Sequence, residues 1–282
     1  MSTAQILILG AIAGLTIYLG LPVGRLRNPS PSLTAFLSAT ATGILLFLFW
    51  DVVTAATEPI ESALTRASDH DGSWTRFFGF ASLFVVCLGI GLLGLIYYEG
   101  WAERRRNGKT PATAIGDVAA TRPKRKALDR VSARRLALLI AMGIGLHNFA
   151  EGLAIGQSAA AGETKLALVL IIGFGLHNAT EGFGIVAPLA SAGVRPSWSF
   201  LGPLGLIGGG PTFVGTLVGQ AWVAPAVSIA FLALAAGSIL YVVIELLNVN
   251  RGFGLQRLVT WGLVLGLMAG FSTDWVLVAA GA

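Results

Sequence analysis

The sequence predicts an all-α polytopic membrane protein of eight transmembrane helices, and three observations carry that prediction. Of 282 residues, 55% are hydrophobic and only 12% charged, against roughly 25% charged in a globular domain. The mean hydropathy is +0.76. The 37 glycines sit inside long apolar runs and make no linker. In a soluble chain a formal charge of +5 and a pI of 9.8 would point to nucleic acid. Here loop topology explains them, so no nucleic-acid partner is expected and the lipid bilayer is the first partner. The lone Cys87 excludes a disulfide framework and any multi-cysteine metal cluster. It reads as a small apolar residue inside a helix.

A helix crossing the hydrocarbon core needs about 20 apolar residues. Runs of that kind fall at roughly 4–24, 33–56, 77–98, 135–159, 166–190, 199–221, 226–248 and 257–280. The first has no basic residue before it and no small-residue cleavage site after it, so it reads as a retained span and not a signal peptide. Basic residues then set the orientation. Sixteen of the nineteen Lys and Arg lie in loops on one side: Arg25 and Arg27, the cluster from Arg104 to Arg135, Arg195, Arg251 and Arg257. The other side holds Arg66, Arg76 and Lys165. Positive residues stay cytoplasmic. The expectation is a multi-pass protein of the plasma (inner) membrane with both termini outside. The chain reads as one transmembrane domain, 1–282, with a basic cytoplasmic loop at 99–134. That loop carries RRR and RPKRK, reads as a solvated topology anchor within reach of anionic lipid, and has no histidine with which to sense metal.

Ionisable groups at membrane depth are expensive and mark pathways by default. Here they are Asp51, His147, Glu151, His177, Glu181, Glu245 and, near the outer end of the last span, Asp274. No Lys or Arg lies in a span interior. Carboxylates and imidazoles without a basic counter-ion call for positive charge from elsewhere, as metal cation or proton. An anion carrier would need the opposite arrangement.

The fourth and fifth spans repeat each other. GIGLHNFAEGLAIG (143–156) and GFGLHNATEGFGIV (173–186) match without gaps at eight of fourteen positions, and each lies near the middle of its span. Consecutive spans run in opposite directions, so the copies are antiparallel, the relation expected of inverted-repeat transporters with a midplane site. His147 and Glu151 are four residues apart and share a helix face, as do His177 and Glu181. Asn148 and Asn178 flank those faces. Two imidazoles, two carboxylates and two amide oxygens suit Zn²⁺, Fe²⁺, Mn²⁺ or Co²⁺ and disfavour Cu⁺. A midplane metal site between the fourth and fifth spans is therefore expected. Gly143, Gly145, Gly173 and Gly175 leave room for close helix approach beside it. The competing reading, polar residues that only hydrogen-bond helices together, would be served by Ser or Thr.

At these residues the chain resembles the ZIP (ZRT/IRT-like) family of divalent-metal transporters, in particular its GufA-like prokaryotic branch. HNFAEG and HNATEG are similar to the family's HNxPEG motif and its fifth-span counterpart. GGGPTF (208–213) and the Tyr241–Leu247 stretch with Glu245 add to the likeness. The resemblance implies a binuclear centre, with His147, Glu151, His177 and Glu181 in the principal site. Asn148 and Asn178 would serve a second site bridged by the glutamates. It also implies elevator-like movement of one helix group against another, and a homodimer. The chain departs from the family at Ala150 and Thr180, where a proline usually precedes the glutamate. It departs again at neutral Asn178, and in the sixth span, where a Gly/Pro segment around Pro211 replaces an acid. The last two remove charge from the second site.

Asp51 reads either as an outer relay or as a carboxylate bonded between helices. Glu245 has no basic partner and reads as part of the pathway. Glu58, Glu61, Asp69, His70 and Asp71 could draw cations to an outer mouth but read first as solvated loop residues, Asp274 as structural or interfacial, and Glu99 and Glu103 as reaching water at the inner surface. The function expected is a carrier that moves divalent transition metal, zinc first and then iron, manganese, cobalt or cadmium, towards the cytoplasm by alternating access. The metal is cargo, and no cofactor is expected. An intramembrane metallohydrolase would also use two His and two Glu around zinc. HExxH is absent, however, and the duplicated motif sets no acid aside as general base, so no enzyme is expected. A channel-like conduit in the same scaffold would differ by carrying current without saturation.

Overall fold

A computed structural model describes residues 2–26, 30–107, 129–221 and 224–279, and these form an all-helical bundle. Arg27 and the middle of the basic loop, 108–128, lie outside the described residues. Among the described residues, eight helices are long and apolar enough to cross a membrane. The first span is α1 (Thr3–Leu15), prolonged by one turn at Ile17–Gly20 and a 3-10 turn at Leu21–Arg25. Then follow α2 (Pro31–Ser68), α3 (Trp74–Asn107), α4 (Arg130–Ala160), α5 (Thr164–Ser191), α6 (Trp198–Ala221), α7 (Pro225–Gly252) and α8 (Gln256–Ala279).

Local chemistry starts and stops these helices. Ser2 and Gln5 form a reciprocal capping box at α1. The Ser30 hydroxyl accepts from Leu33 N ahead of Pro31, and Asp129 accepts from Ser132 N at 2.7 Å. Each satisfies an orphan amide of a first turn. Gly162 and Gly193, at φ 82° and 65°, close the short turns on either side of α5, a conformation that costs glycine little. The largest departure from the hydropathy reading is α2, expected over 33–56 and helical to Ser68. Apolarity ends where Glu58, Glu61 and Arg66 begin, but the backbone keeps its helical bonds. Glu58 and Glu61 are therefore helical residues and not loop residues.

The helices pack as two groups. The heaviest contacts are α4 on α6, α8 on α2, and α3 on α7. In each, backbone touches backbone. A Cβ on Gly152 would collide with Thr212 O, and one on Gly215 with Phe149 O. Gly43 and Gly266 play the same part between α2 and α8, and Gly91 and Gly237 between α3 and α7. The first span, α4, α5 and α6 form one group, and α2, α3, α7 and α8 the other. Between groups, the glycines meet side-chain ends instead: Gly143 of α4 faces Val242 Cγ2, and Gly184 of α5 faces Leu246 Cδ1. Small residues let backbones approach closely, and that packing helps drive helix association in lipid. Each group is therefore a tighter unit than the seam between them.

Candidate metal centre

α4 and α5 run antiparallel and unbroken through both motif copies. Ala150 and Thr180 leave no proline kink, and the Thr180 hydroxyl donates to His177 O at 2.7 Å. The facing side chains converge. Glu151 Oε1 lies 2.9 Å from His147 Nε2 and 2.5 Å from His177 Nε2, one carboxylate oxygen shared by two imidazoles. Glu181 Oε1 is 3.6 Å from His147 Nε2. Ligand atoms of His147, Glu151 and His177 all fall within 4.8 Å of one another. His147, Glu151 and Glu181 are buried, and His177 is half-buried. Two imidazole nitrogens and carboxylate oxygens in so small a volume match the donor chemistry of borderline divalent cations.

The asparagines are aimed by backbone carbonyls. A carbonyl only accepts, so each amide must present its NH₂ to it. Asn148 Nδ2 donates to Gly208 O at 2.9 Å, and Asn178 Nδ2 to Ala13 O at 3.2 Å. Asn148 Oδ1 and Asn178 Oδ1 are left buried with no hydrogen bond among the described residues. The acceptor for Asn148 lies in the Gly/Pro segment of α6. Pro211 has no N–H to bond Ile207 O, and that carbonyl rests against Gly145. Gly145 thus serves contact with α6 rather than the pairing of α4 with α5. One turn beyond Gly208, Thr212 is fully buried, and its Oγ1 has no hydrogen bond among the described residues. Nothing in the spacing of the duplicated motif pointed to it. A hydroxyl inside GGGPTF was the available signal.

A cavity of about 210 Å³ reaches this cluster from one side, lined by Asp51 and Leu48 of α2, His177 and Thr180 of α5, and Thr273 and Asp274 of α8. Asp51 therefore shares a wall with His177. Asp274, read from sequence as interfacial, stands in the same cavity. Glu245 lies elsewhere, at the α3–α7 contact within one helix group, beside Glu99. Tyr241 OH donates to Glu99 Oε2 at 3.3 Å, and the Arg135 guanidinium donates to Glu99 O. Glu99 is thus held between helices and is not simply in water.

A family model described as ZIP Zinc transporter matches residues 99–272. No curated protein matches the chain.

Proposed function

The chain belongs to the ZIP zinc transporter family, whose members move divalent metal across membranes, and from that premise we propose that it carries zinc towards the cytoplasm by alternating access. Iron, manganese, cobalt and cadmium are the further cargoes its donor set admits. We place it in the GufA-like branch and in the plasma (inner) membrane, with both termini outside, as a homodimer of one-domain chains, 1–282, whose 99–134 loop is cytoplasmic. His147, Glu151, His177 and Glu181 form the principal cargo site, Asn148 and Asn178 the second, and Asp51 and Glu245 stand on the pathway.

One observation carries the reading: the buried cluster of two imidazoles and a shared carboxylate lies beside a cavity at the seam between two tightly packed helix groups. Cargo held by α4 and α5 travels with its own group when that group slides against α2, α3, α7 and α8. The seam is suited to sliding, because side-chain ends meet there more than backbones do. Side-chain hydrogen bonds that cross it, such as Ser238 Oγ to Gly143 O at 3.0 Å and Ser228 Oγ to Gln157 Oε1 at 3.0 Å, are single contacts that a modest displacement exchanges.

The test is metal uptake into sealed vesicles containing only this protein. Saturable uptake that ranks the metals with zinc first, without voltage-driven current, is the expected result. Unsaturable current would make the protein a channel. Zinc held without uptake would remove the carrier.

A further inference from the structure

On the face of the bundle where the sequence places only Arg66, Arg76 and Lys165, two of the three point into one groove. The α2–α3 connection is five residues long. His70 takes the left-handed conformation at φ 64°, and Asp71 N donates to Arg66 O at 2.9 Å. This tight turn brings Arg66, at the end of α2, next to Arg76, at the start of α3. Both line a groove of about 320 Å³ with Ser62, Asp71, Ser73 and Pro225, the first residue of α7. Arg76 stacks over Phe80 at 5.3 Å, which fixes the plane of its guanidinium. Among the described residues neither guanidinium has a carboxylate within ion-pair distance.

The groove's depth relative to a bilayer is marked by the residues beside it. Trp74, Phe77 and Phe78 form a mutual aromatic cluster in the first turn of α3, with centroids 5.1 to 6.2 Å apart, and Trp74 and Phe78 are exposed. Exposed aromatics at the end of a spanning helix sit at headgroup level. The groove thus opens where lipid phosphates lie. Its charge is also specific, since two guanidiniums and the Asp71 carboxylate sum to one positive charge. That complements a phosphodiester monoanion, and guanidinium is the side chain that bonds paired phosphate oxygens in a fork.

We propose that this groove between α2, α3 and the start of α7 binds the phosphodiester of an anionic membrane lipid. The three helices belong to one packing group, so a bound lipid anchors the outer ends of that group to the bilayer and leaves the cargo-bearing group untouched.

The experiment is native mass spectrometry of the full-length protein with phosphatidylglycerol and, in parallel, phosphatidylcholine of the same acyl chains. Phosphatidylcholine carries the same phosphate but attaches a cation to it. One phosphatidylglycerol retained per chain, with phosphatidylcholine retained at least tenfold more weakly, is expected. The double variant Arg66→Gln/Arg76→Gln should lose that preference, Asp71→Asn should strengthen retention about threefold, and Lys165→Gln should leave it unchanged. Equal retention of the two lipids would overturn the proposal. So would full retention by the double variant, or an equal loss in Lys165→Gln, which would mean that only the charge of the face matters. Complete displacement of phosphatidylglycerol by millimolar inorganic phosphate would assign the groove to the free anion instead.

Discussion

The two copies of the repeated motif read almost alike and sit in unlike surroundings. In the most apolar stretch of α4, 72% of residues are buried; in α5 the figure is 33%. His147, Asn148 and Glu151 are all buried, and the glycine-rich backbone of α6 lies directly on α4. In α5, Asn178 and Glu181 are buried, but His177 forms part of the cavity wall with Asp51 and Asp274. The same histidine in the same six-residue phrase is a fixed floor in one copy and a face open to the cavity in the other. What differs is the neighbour, so the partner helix and not the motif decides what each copy does.

The carboxylate that joins the copies gives the largest expected effect. Glu151 Oε1 touches both imidazoles, so Glu151→Ala should lower zinc uptake by more than about a hundredfold, since losing even an outer-shell partner costs about 10–100-fold. Glu181→Ala should behave similarly. Both variants should remain folded and membrane-inserted, as judged by size-exclusion in detergent. Near-normal uptake by either would remove that residue from the cargo site.

The histidines sharpen the contrast. Both His147→Ala and His177→Ala should nearly abolish uptake, yet the first should destabilise the protein more in the absence of metal. His147 is fully buried, and its loss leaves a cavity in the packed interior, at a cost of about 2 kcal/mol. His177 borders a cavity already and should cost less. Thermal unfolding of the two variants in metal-free buffer decides the matter, and equal losses would erase the asymmetry between copies.

Acid should weaken cargo binding in the wild-type protein. A bound metal requires neutral imidazole and ionised carboxylate, so protons compete for the same atoms. Zinc affinity should therefore fall as pH falls, by about tenfold per pH unit for each proton displaced. Calorimetric titration across mildly alkaline to mildly acidic buffer measures this, and a flat profile would mean that the imidazoles do not bind the metal.

Much of this arrangement was legible in the sequence, for physical reasons that also mark where legibility stopped. Bilayer thickness turns an apolar run into a helix, so the eight spans could be read directly. The end of α2 could not, because helical bonding continues past Glu58 and Glu61, where apolarity ends. A four-residue spacing puts His147 with Glu151 and His177 with Glu181 on common faces, so the candidate cluster could be read from α4 and α5. Residues that reach it from other helices depend on interhelical register, which no local pattern encodes. Asp51 and Asp274 share a cavity from near opposite ends of the chain. Thr212 is buried against Gly14 of the first span, in a segment where the α6 glycines let helices approach closely. Glu99 meets Tyr241 across the α3–α7 contact for the same kind of reason.

The smallest expected effect concerns the asparagines, where the copies are most alike. Asn148 Oδ1 and Asn178 Oδ1 offer a cation oxygen without charge, and the Gly/Pro segment of α6 on which Asn148 rests carries no carboxylate. A second cation that shared Glu151 and Glu181 would also be repelled by the first. We therefore expect one well-held metal per chain at modest concentration, with the second weak. Asn178→Asp tests this with a sign that packing alone would not produce. Without metal, the new carboxylate loses the amide that donated to Ala13 O and faces that carbonyl, at a cost of about 1–3 kcal/mol. With metal, the added charge strengthens the second site. The variant should thus be less stable than wild type in metal-free buffer, bind a second zinc more tightly, and gain more stability from zinc. Metal counting by mass spectrometry with parallel thermal unfolding reads both quantities. Two equally tight metals in the unmodified protein would show that the amide oxygens suffice without the missing charge.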